Sequence, residues 1–164
     1  MSVDQQQLAA AGERIRAEAS VTGLLATTAR AYVEVFDAPA CTISRVIGDL
    51  LVDLMQYQRE GKPERLGHGY LVSDYPVTRA VIEDREPRTV AKGDPDADEK
   101  EVKLLEQLGF DSLLMLAIEA EDGSWGLIEL YGEKGRRFTE AELLIAQGLA
   151  EEVGETLRRL ERRG

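Results

Sequence analysis

Residues 112–131 read SLLMLAIEAEDGSWGLIELY. The two halves, 112–120 and 124–131, are strongly apolar runs of a length typical of β-strands. Between them, Glu121-Asp122-Gly123 supplies the residues of a tight turn, because glycine accepts the left-handed backbone conformation that such turns need. The segment therefore predicts an antiparallel hairpin.

Helices with recognisable ends flank this hairpin. Upstream, Asp98 with Glu101 three residues later has the spacing of a capping box, and it predicts a helix that Gly109 ends. Downstream, Thr139 with Glu142 has the same spacing and predicts a last helix that runs to about residue 163.

The first half of the chain predicts a second hairpin and two short strands. Residues 41–47 and 50–57 are rich in strand-forming residues, and Gly48-Asp49 between them is a two-residue turn. Residues 67–72 and 88–91 are candidates for the short strands.

Two more helices complete the order of elements. Residues 4–37 lack proline and carry spaced apolar residues, which predicts one long helix, bent near Thr22-Gly23. A short helix is predicted to begin at Ser73, Asp74 and Pro76. The order is helix, strands, helix, strand, helix, strands, helix, an α+β class with at most about six strands.

Composition excludes several classes of function. The 164 residues carry a net charge of −11, which argues against nucleic acid or anionic lipid as the main partner. One histidine, His68, and one cysteine, Cys41, cannot form a multi-Cys zinc site or a redox pair. We see no secretory signal and no apolar run long enough to span a membrane, so a cytoplasmic location is expected.

Ordered motifs over about residues 22–160 resemble a GAF domain, the small-molecule-sensing module of many signalling proteins. They include Gly67-His68-Gly69-Tyr70, LGFDSLLML at 108–116, WGLIELY at 125–131 and RFTEAE at 137–142. The resemblance implies a GAF-like (profilin/PAS-like) central antiparallel sheet of about six strands. Terminal helices would pack on one face and a ligand pocket would lie on the other. The domain would span 22–164, including a C-terminal signalling helix, after an N-terminal helical extension at 1–21.

The sharper functions of this family fit the residues poorly. Bilin attachment uses a cysteine near the pocket roof, whereas Cys41 falls on the first predicted strand, and one cysteine cannot support sulfoxide reduction. His68 between two glycines is a weak candidate for a haem ligand. The pattern of cyclic-nucleotide binders is partial, because Lys134, Phe138 and Glu142 are near the expected spacing but Leu143 takes the last acidic place.

An acidic stretch at 94–99 resembles the front of a calcium-binding loop. Glu99 stands where that loop needs glycine, and Leu105 stands where it needs a bidentate glutamate. A solvated loop that caps the next helix is the better interpretation, and no metal site is predicted.

Candidate pocket residues come from the predicted strand ends and the first roof helix. Their aromatic, hydroxyl, guanidinium and carboxylate groups would suit a small planar or anionic ligand. They are Arg45, Tyr57, Tyr70, Asp74, Tyr75, Thr78, Arg79, Met115 and Glu129. In the alternative interpretation, Tyr70 and Tyr75 pack in the core, and Arg45, Arg79 and Glu129 are rim charges without a ligand.

The last helix carries apolar residues at coiled-coil spacing. GAF modules typically pair through their first and last helices, so the resemblance implies a homodimer. The expected interface residues are Leu8, Ile15, Ala146, Ala150, Val153, Leu157 and Leu160. The alternative is that these residues pack only against the sheet and first helix of the same chain.

These observations predict a regulatory sensor domain of a bacterial-type signal-transduction protein. It would bind an unidentified small molecule and pass its occupancy through a helical dimer interface to an output domain in the same or another chain. No catalytic motif stands out, so no enzymatic activity is expected. The alternative is a ligand-free dimerisation and scaffolding module.

Overall fold

The computed structural model of the chain describes residues 3–60 and 68–163. The helices are α1 (Gln5–Arg16), α2 (Val21–Phe36), α3 (Pro76–Asp84), α4 (Glu99–Leu108) and α5 (Glu140–Arg163), with a 3-10 turn at Val72–Asp74. The strands are β1 (Ala40–Ile47), β2 (Leu50–Gln58), β3 (Gly69–Leu71), β4 (Arg88–Ala91), β5 (Ser112–Ala120) and β6 (Gly123–Gly132). Gly67 of the predicted third strand lies outside the described residues.

The strands form one antiparallel sheet in the order β3-β2-β1-β6-β5-β4. Both predicted hairpins are confirmed, and Gly48 in the first turn has a φ of 61°, which few other residues adopt without strain. Where β1 and β6 pair, a Cβ atom at Gly126 would overlap the carbonyl oxygen of Ser44. The expectation of an α+β, GAF-like fold with a central sheet is confirmed.

The N-terminal helix differs from the prediction, because the chain breaks into two helices. Ser20 starts α2, its Oγ accepting a hydrogen bond from the Gly23 backbone N–H at 3.0 Å, and residues 17–20 are not continuous helix. The predicted bend at Thr22-Gly23 is wrong, since both residues lie in the first turn of α2. The N-cap at Ser20 decides the position of the break.

Two apolar clusters pack on opposite faces of the sheet. The larger one joins α1, α2 and α5 to one face and includes the fully buried Tyr32, Ile128 and Leu130. The Tyr32 hydroxyl donates a hydrogen bond to the Ala146 carbonyl oxygen at 2.7 Å, which ties α2 to α5. The smaller cluster lies on the other face, under α3 and α4.

The start of α5 has the predicted capping box. The Thr139 backbone N–H donates to Glu142 Oε1 at 3.0 Å, and the Glu142 N–H donates to Thr139 Oγ1 at 3.1 Å. Glu142 also pairs with Arg136 at 2.6 Å. These contacts account for Glu142 structurally. Among the described residues, no helix combines the length and hydropathy required to cross a bilayer.

The residues expected at a dimer interface are largely covered inside the single chain. Ile15, Ala146, Ala150, Val153, Leu157 and Leu160 belong to the larger cluster, and Leu8 packs partly against it. The coiled-coil spacing of α5 is thus satisfied by the sheet and the neighbouring helices. Further along the outer side of α5, Leu144 is 74% exposed.

Candidate ligand-binding site

A cavity of about 110 Å³ lies on the sheet face opposite α1, α2 and α5. The strands β1, β2 and β6 form its floor, and α3, α4 and the segments next to them form its roof. Floor residues are Thr42, Leu51, Asp53, Gln56, Gln58, Glu129 and Tyr131. Roof residues are Tyr70, Val72, Tyr75, Thr78, Glu101, Leu104, Gln107, Leu108 and Phe110.

A β-bulge in β2 determines which of its side chains reach the cavity. Ser44 pairs with Asp53 and Ile43 pairs with Met55, so Leu54 has no partner on β1. One extra residue reverses the alternation of side chains between the two faces. Asp53 and Gln56 therefore both line the cavity.

The same bulge places Tyr57 on the sheet face that α1, α2 and α5 cover, which we call the helical face. Its ring packs against the larger apolar cluster, with the guanidinium of Arg30 6.0 Å from the ring centre. The prediction that Tyr57 lines the pocket is therefore wrong. That prediction rested on its place at the end of the predicted strand.

Glu129 on β6 is one of the three carboxyl groups that border the cavity. The residue is half-buried, and Tyr131 Oη donates a hydrogen bond to Glu129 Oε2 at 3.3 Å. Burial, reinforced by the nearby charges of Asp53 and Glu101, raises the pKa of Glu129 from 4.5 to about 8. At neutral pH the empty cavity therefore keeps this carboxyl group mostly protonated.

Asp53 lies on the neighbouring part of the floor. Ser44 Oγ donates a hydrogen bond to Asp53 Oδ1 at 2.7 Å. Burial raises the pKa of Asp53, an effect that the hydrogen bond from Ser44 and the charge of His68 partly offset. His68 is exposed and does not line the cavity.

Glu101 on α4 faces the cavity from the roof. Its Oε1 accepts hydrogen bonds from the backbone N–H of Thr78 at 3.0 Å and from Thr78 Oγ1 at 2.9 Å, which links α4 to α3. Burial raises the pKa of Glu101, although these hydrogen bonds act in the opposite direction. The predicted cap of α4 is present, because Asp98 accepts from the N–H groups of Lys100 and Glu101.

Aromatic rings frame the remaining space. Tyr70 and Tyr75 meet edge to face with ring centres 6.1 Å apart. Phe110 stacks on Tyr131 with ring centres 4.7 Å apart. The cavity thus combines aromatic rings with three carboxyl groups.

Four of the nine predicted pocket residues line this cavity, namely Tyr70, Tyr75, Thr78 and Glu129. Met115 is fully buried behind it, with its Sδ 3.4 Å from Thr78 Oγ1.

Arg45, Arg79 and Asp74 lie outside the cavity, contrary to the prediction. The guanidinium of Arg45 stacks over the Trp125 ring at 4.6 Å on the helical face. Arg79 is exposed and pairs with Glu83 at 2.8 Å, four residues along the same helix. Asp74 is also exposed. The expected basic grip on an anionic ligand is therefore absent from the described lining.

Sequence reasoning missed two of the three carboxyl groups. Asp53 interrupts an apolar strand, and Glu101 precedes Leu105 and Leu108 at helical spacing on the buried side of α4. Both could have been recognised from the sequence, because each is an acidic residue at a position where the pattern of its strand or helix predicts an apolar, buried one. The spacing from Asp98 assigned Glu101 to a capping box, whereas its side chain accepts hydrogen bonds from Thr78.

The residues considered for other chemistries have structural roles. Cys41 is fully buried on the helical face, and burial raises the pKa of its thiol. Asp94 in the acidic stretch pairs with Arg137. Within residues 3–60 and 68–163, no three His, Cys, Asp or Glu side chains lie close enough together to hold a metal ion.

The sequence over residues 20–157 matches the family model of the GAF domain. Because the match covers most of the chain, this protein belongs to the GAF family, a class of sensory domains in signalling proteins. Comparison with curated protein sequences gives no significant match.

Several solved structures share the fold. The chromophore-binding domain of the bacteriophytochrome RpBphP3 from R. palustris superposes with a TM-score of 0.83 at 14% identity, covering 96% of this chain and 61% of that one. The structure of JSC1_58120g3 with bound biliverdin IXa superposes with a TM-score of 0.81 at 17% identity, covering 95% of this chain and 99% of that one. A longer RpBphP3 structure superposes with a TM-score of 0.84 at 13% identity, covering 96% of this chain and 37% of that one. The chain thus spans less than two thirds of both RpBphP3 structures.

Proposed function

We propose that this domain is a regulatory sensor in a signal-transduction protein, and that a small molecule in the cavity alters the helical layer across the sheet. The observation that carries the proposal is the alternation along β6. Glu129 borders the cavity, while Ile128 and Leu130 on either side pack under the helices. A change at Glu129 therefore has a short path to α2 and α5.

The free energy that such a switch requires is modest. A ligand shifts an equilibrium between two helix arrangements only if it binds one of them better than the other. A preference of about tenfold supplies about 1.4 kcal/mol, which is sufficient to bias two states of similar free energy. The domain would act by binding alone, without catalysis, in a reducing cytoplasm that suits its single buried thiol.

We further propose that the domain works as a homodimer that passes its signal to an output domain in the same or another chain. Since the heptad positions are covered, the contact would use the exposed side of α5 and the adjoining part of α1. Leu144 is 74% exposed there, and Leu8, Ala9, Ile145 and Gly148 line a groove between the two helices. An exposed apolar surface of this kind is typical of an interaction site.

The polar lining supports a sensor over a ligand-free scaffold. A domain that only aligns its neighbours has no need to bury carboxyl groups, which cost free energy unless they have a partner. Asp53, Glu101 and Glu129 all border the cavity, and burial raises the pKa of each of them.

The described residues do not fit biliverdin, the ligand in the JSC1_58120g3 structure. A bilin has four pyrrole rings, whereas a cavity of about 110 Å³ has the size of a site for about one ring. Its two propionates would meet Asp53, Glu101 and Glu129 with no Lys, Arg or His in the described lining. Cys41, the only cysteine, is buried on the opposite face of the sheet.

Native mass spectrometry of the purified protein tests the sensor and the dimer together. The proposal predicts a mass of twice 18.1 kDa with an additional small molecule. Leu144→Glu should give the monomer, because the new charge would be buried at the contact, whereas Asp122→Lys on the exposed β5–β6 turn should leave the dimer intact. A wild-type monomer would contradict the dimer, and a dimer that never carries an added ligand would favour the scaffold.

A further inference from the structure

The charges around the cavity are one-sided. Asp53, Glu101 and Glu129 border it, and its described lining contains no Lys, Arg or His. The chain as a whole carries a net charge of −11, so its surroundings reinforce the negative potential. An anion entering this space would meet the carboxyl groups of Asp53 and Glu101, and that of Glu129 as well once it is ionised.

The hydrogen-bond partners described for these carboxyl groups are neutral donors, and the positive charge of His68, which acts on Asp53, lies outside the cavity lining. Asp53 accepts from the Ser44 hydroxyl, Glu101 accepts from Thr78, and Glu129 accepts from the Tyr131 hydroxyl. Neutral hydrogen bonds satisfy acceptor atoms but do not balance charge. A cavity with this lining either holds protons on its carboxyl groups or gains from a cation.

The protonation of Glu129 fits this description. Its pKa of about 8 means that the proton is held at neutral pH and can be displaced by a nearby positive charge. The titratable groups facing it are Asp53 on β2, Glu101 on α4 and Tyr131 on β6, and none of them can supply that charge.

The aromatic rings add a second, independent feature. Tyr70, Tyr75, Phe110 and Tyr131 all line the cavity, and the negative face of an aromatic ring attracts cations. Rings together with carboxylates are the usual means of recognising organic ammonium-type groups. The volume of about 110 Å³ limits the bound portion to a small group.

From this combination we infer that the cavity binds a small organic cation, an amine, amidine or guanidine carried on about one ring or a short chain. The inference rests on the proposed sensor function and names the ligand class for the same site. It replaces the expectation of an anionic ligand, which depended on Arg45 and Arg79, and both of these lie outside the cavity.

Three probes of nearly equal size and shape separate charge from fit: benzamidine as the cation, benzamide as the neutral compound and benzoate as the anion. Each is titrated into the full chain, and binding is followed through the backbone amide signals of cavity residues. Benzamidine should bind at least about tenfold more tightly than benzamide, and benzoate should bind least, because a charge-assisted hydrogen bond exceeds a neutral one by about this factor.

Glu129→Gln tests the residue assigned to the cation. This variant keeps the shape of the side chain and removes its charge. It should therefore weaken the binding of benzamidine by about tenfold or more and leave the affinity for benzamide nearly unchanged. The matched control is Glu83→Gln on the exposed side of α3, which should change neither the benzamidine affinity nor the benzamide affinity.

The pH dependence of benzamidine binding distinguishes direct contact between Glu129 and the ligand from a purely structural role of Glu129. Because the cation displaces the proton of Glu129, benzamidine affinity should rise between about pH 6 and pH 8 and then level off. Glu129→Gln should lose this rise. An unchanged rise in the variant would overturn the assignment of Glu129.

The outcomes separate this inference from the sensor proposal. Tighter binding of benzoate or benzamide would overturn the cation class and leave a small-molecule sensor standing. Benzamidine binding without any change in amide hydrogen exchange along α5 would support the cation class and contradict the proposed signal path. Failure of all three probes to bind at millimolar concentration would contradict the inference, while a ligand of another class retained in native mass spectrometry would still support the sensor.

Discussion

Adjacent residues of one strand belong to two chemically different regions. On the helical face of β6, Ile128 and Leu130 are fully buried among the side chains of α1, α2 and α5. On the other face, Glu129 and Tyr131 border a cavity with three carboxyl groups. The first region stabilises the fold by burying apolar surface. The second keeps polar groups out of bulk water, which is costly for stability and typical of a binding site.

The largest expected effect is on the helical face. Leu130→Ala should lower the free energy of unfolding by about 2–5 kcal/mol, because it leaves a cavity in a fully buried core. Urea unfolding measures this loss. Leu144→Ala, at a position that is 74% exposed, should change stability by less than about 0.5 kcal/mol. Equal losses at the two positions would mean that β6 is not the centre of the packed region.

The cavity face should have its own pH dependence. The folded-state pKa of Glu129 is raised from 4.5 to about 8, so the folded protein holds an extra proton between these values. Stability should therefore fall as pH rises through this window and level off above about pH 8, losing roughly 3 kcal/mol between pH 6 and 9.

Glu129→Gln should remove most of that fall, as measured by urea unfolding across the same pH range. Residual dependence from Asp53 and Glu101 has the same sign, because burial raises their pKa values too. A variant that retains the full wild-type slope would show that Glu129 does not hold the proton.

The link between α3 and α4 should contribute less. Thr78→Val preserves the shape of the side chain but removes a hydroxyl that donates to Glu101, and it should cost about 1 kcal/mol. Thr89→Val on β4 is the control, since Thr89 is exposed. Thermal or urea unfolding of both variants compares them, and equal stability would remove the role given to this hydrogen bond.

The smallest expected effect is at Arg45. Arg45→Gln removes its stacking over Trp125, so it should lower stability by about 0.5–1 kcal/mol. Benzamidine binding should not change, because Arg45 lies on the helical face. Altered binding in this variant would place the ligand site elsewhere and break the division between the two faces.

Much of the fold was predictable because its signals are local. Turn residues at Gly48 and Gly123 and caps at Asp98 and Thr139 each act within a few residues, and the structure confirms them. The break at Ser20 was missed, because the helical periodicity on either side concealed a cap that the sequence also contained.

The site was less predictable because it depends on register and tertiary contact. The bulge at Leu54 reverses which side chains of β2 point to each face of the sheet, and the position of Tyr57 at the strand end did not reveal this. Glu101 reaches Thr78, 23 residues away in sequence, instead of closing its own helix cap. Glu129 was predicted because it was assigned to a pocket-facing strand of the sheet.

The two faces of the sheet differ in that one is an apolar core and the other holds a desolvated polar site. The most direct test of this difference is a pH titration of the Glu129 side-chain carboxyl carbon by NMR in labelled protein. The account predicts a pKa near 8 in the protein without ligand, because desolvation and the nearby charges of Asp53 and Glu101 disfavour the ionised form. A pKa near the ordinary value of 4.5 would contradict it. Glu129 would then be hydrated like a surface carboxyl group, and the sheet face under α3 and α4 would lack the desolvated site that the account requires.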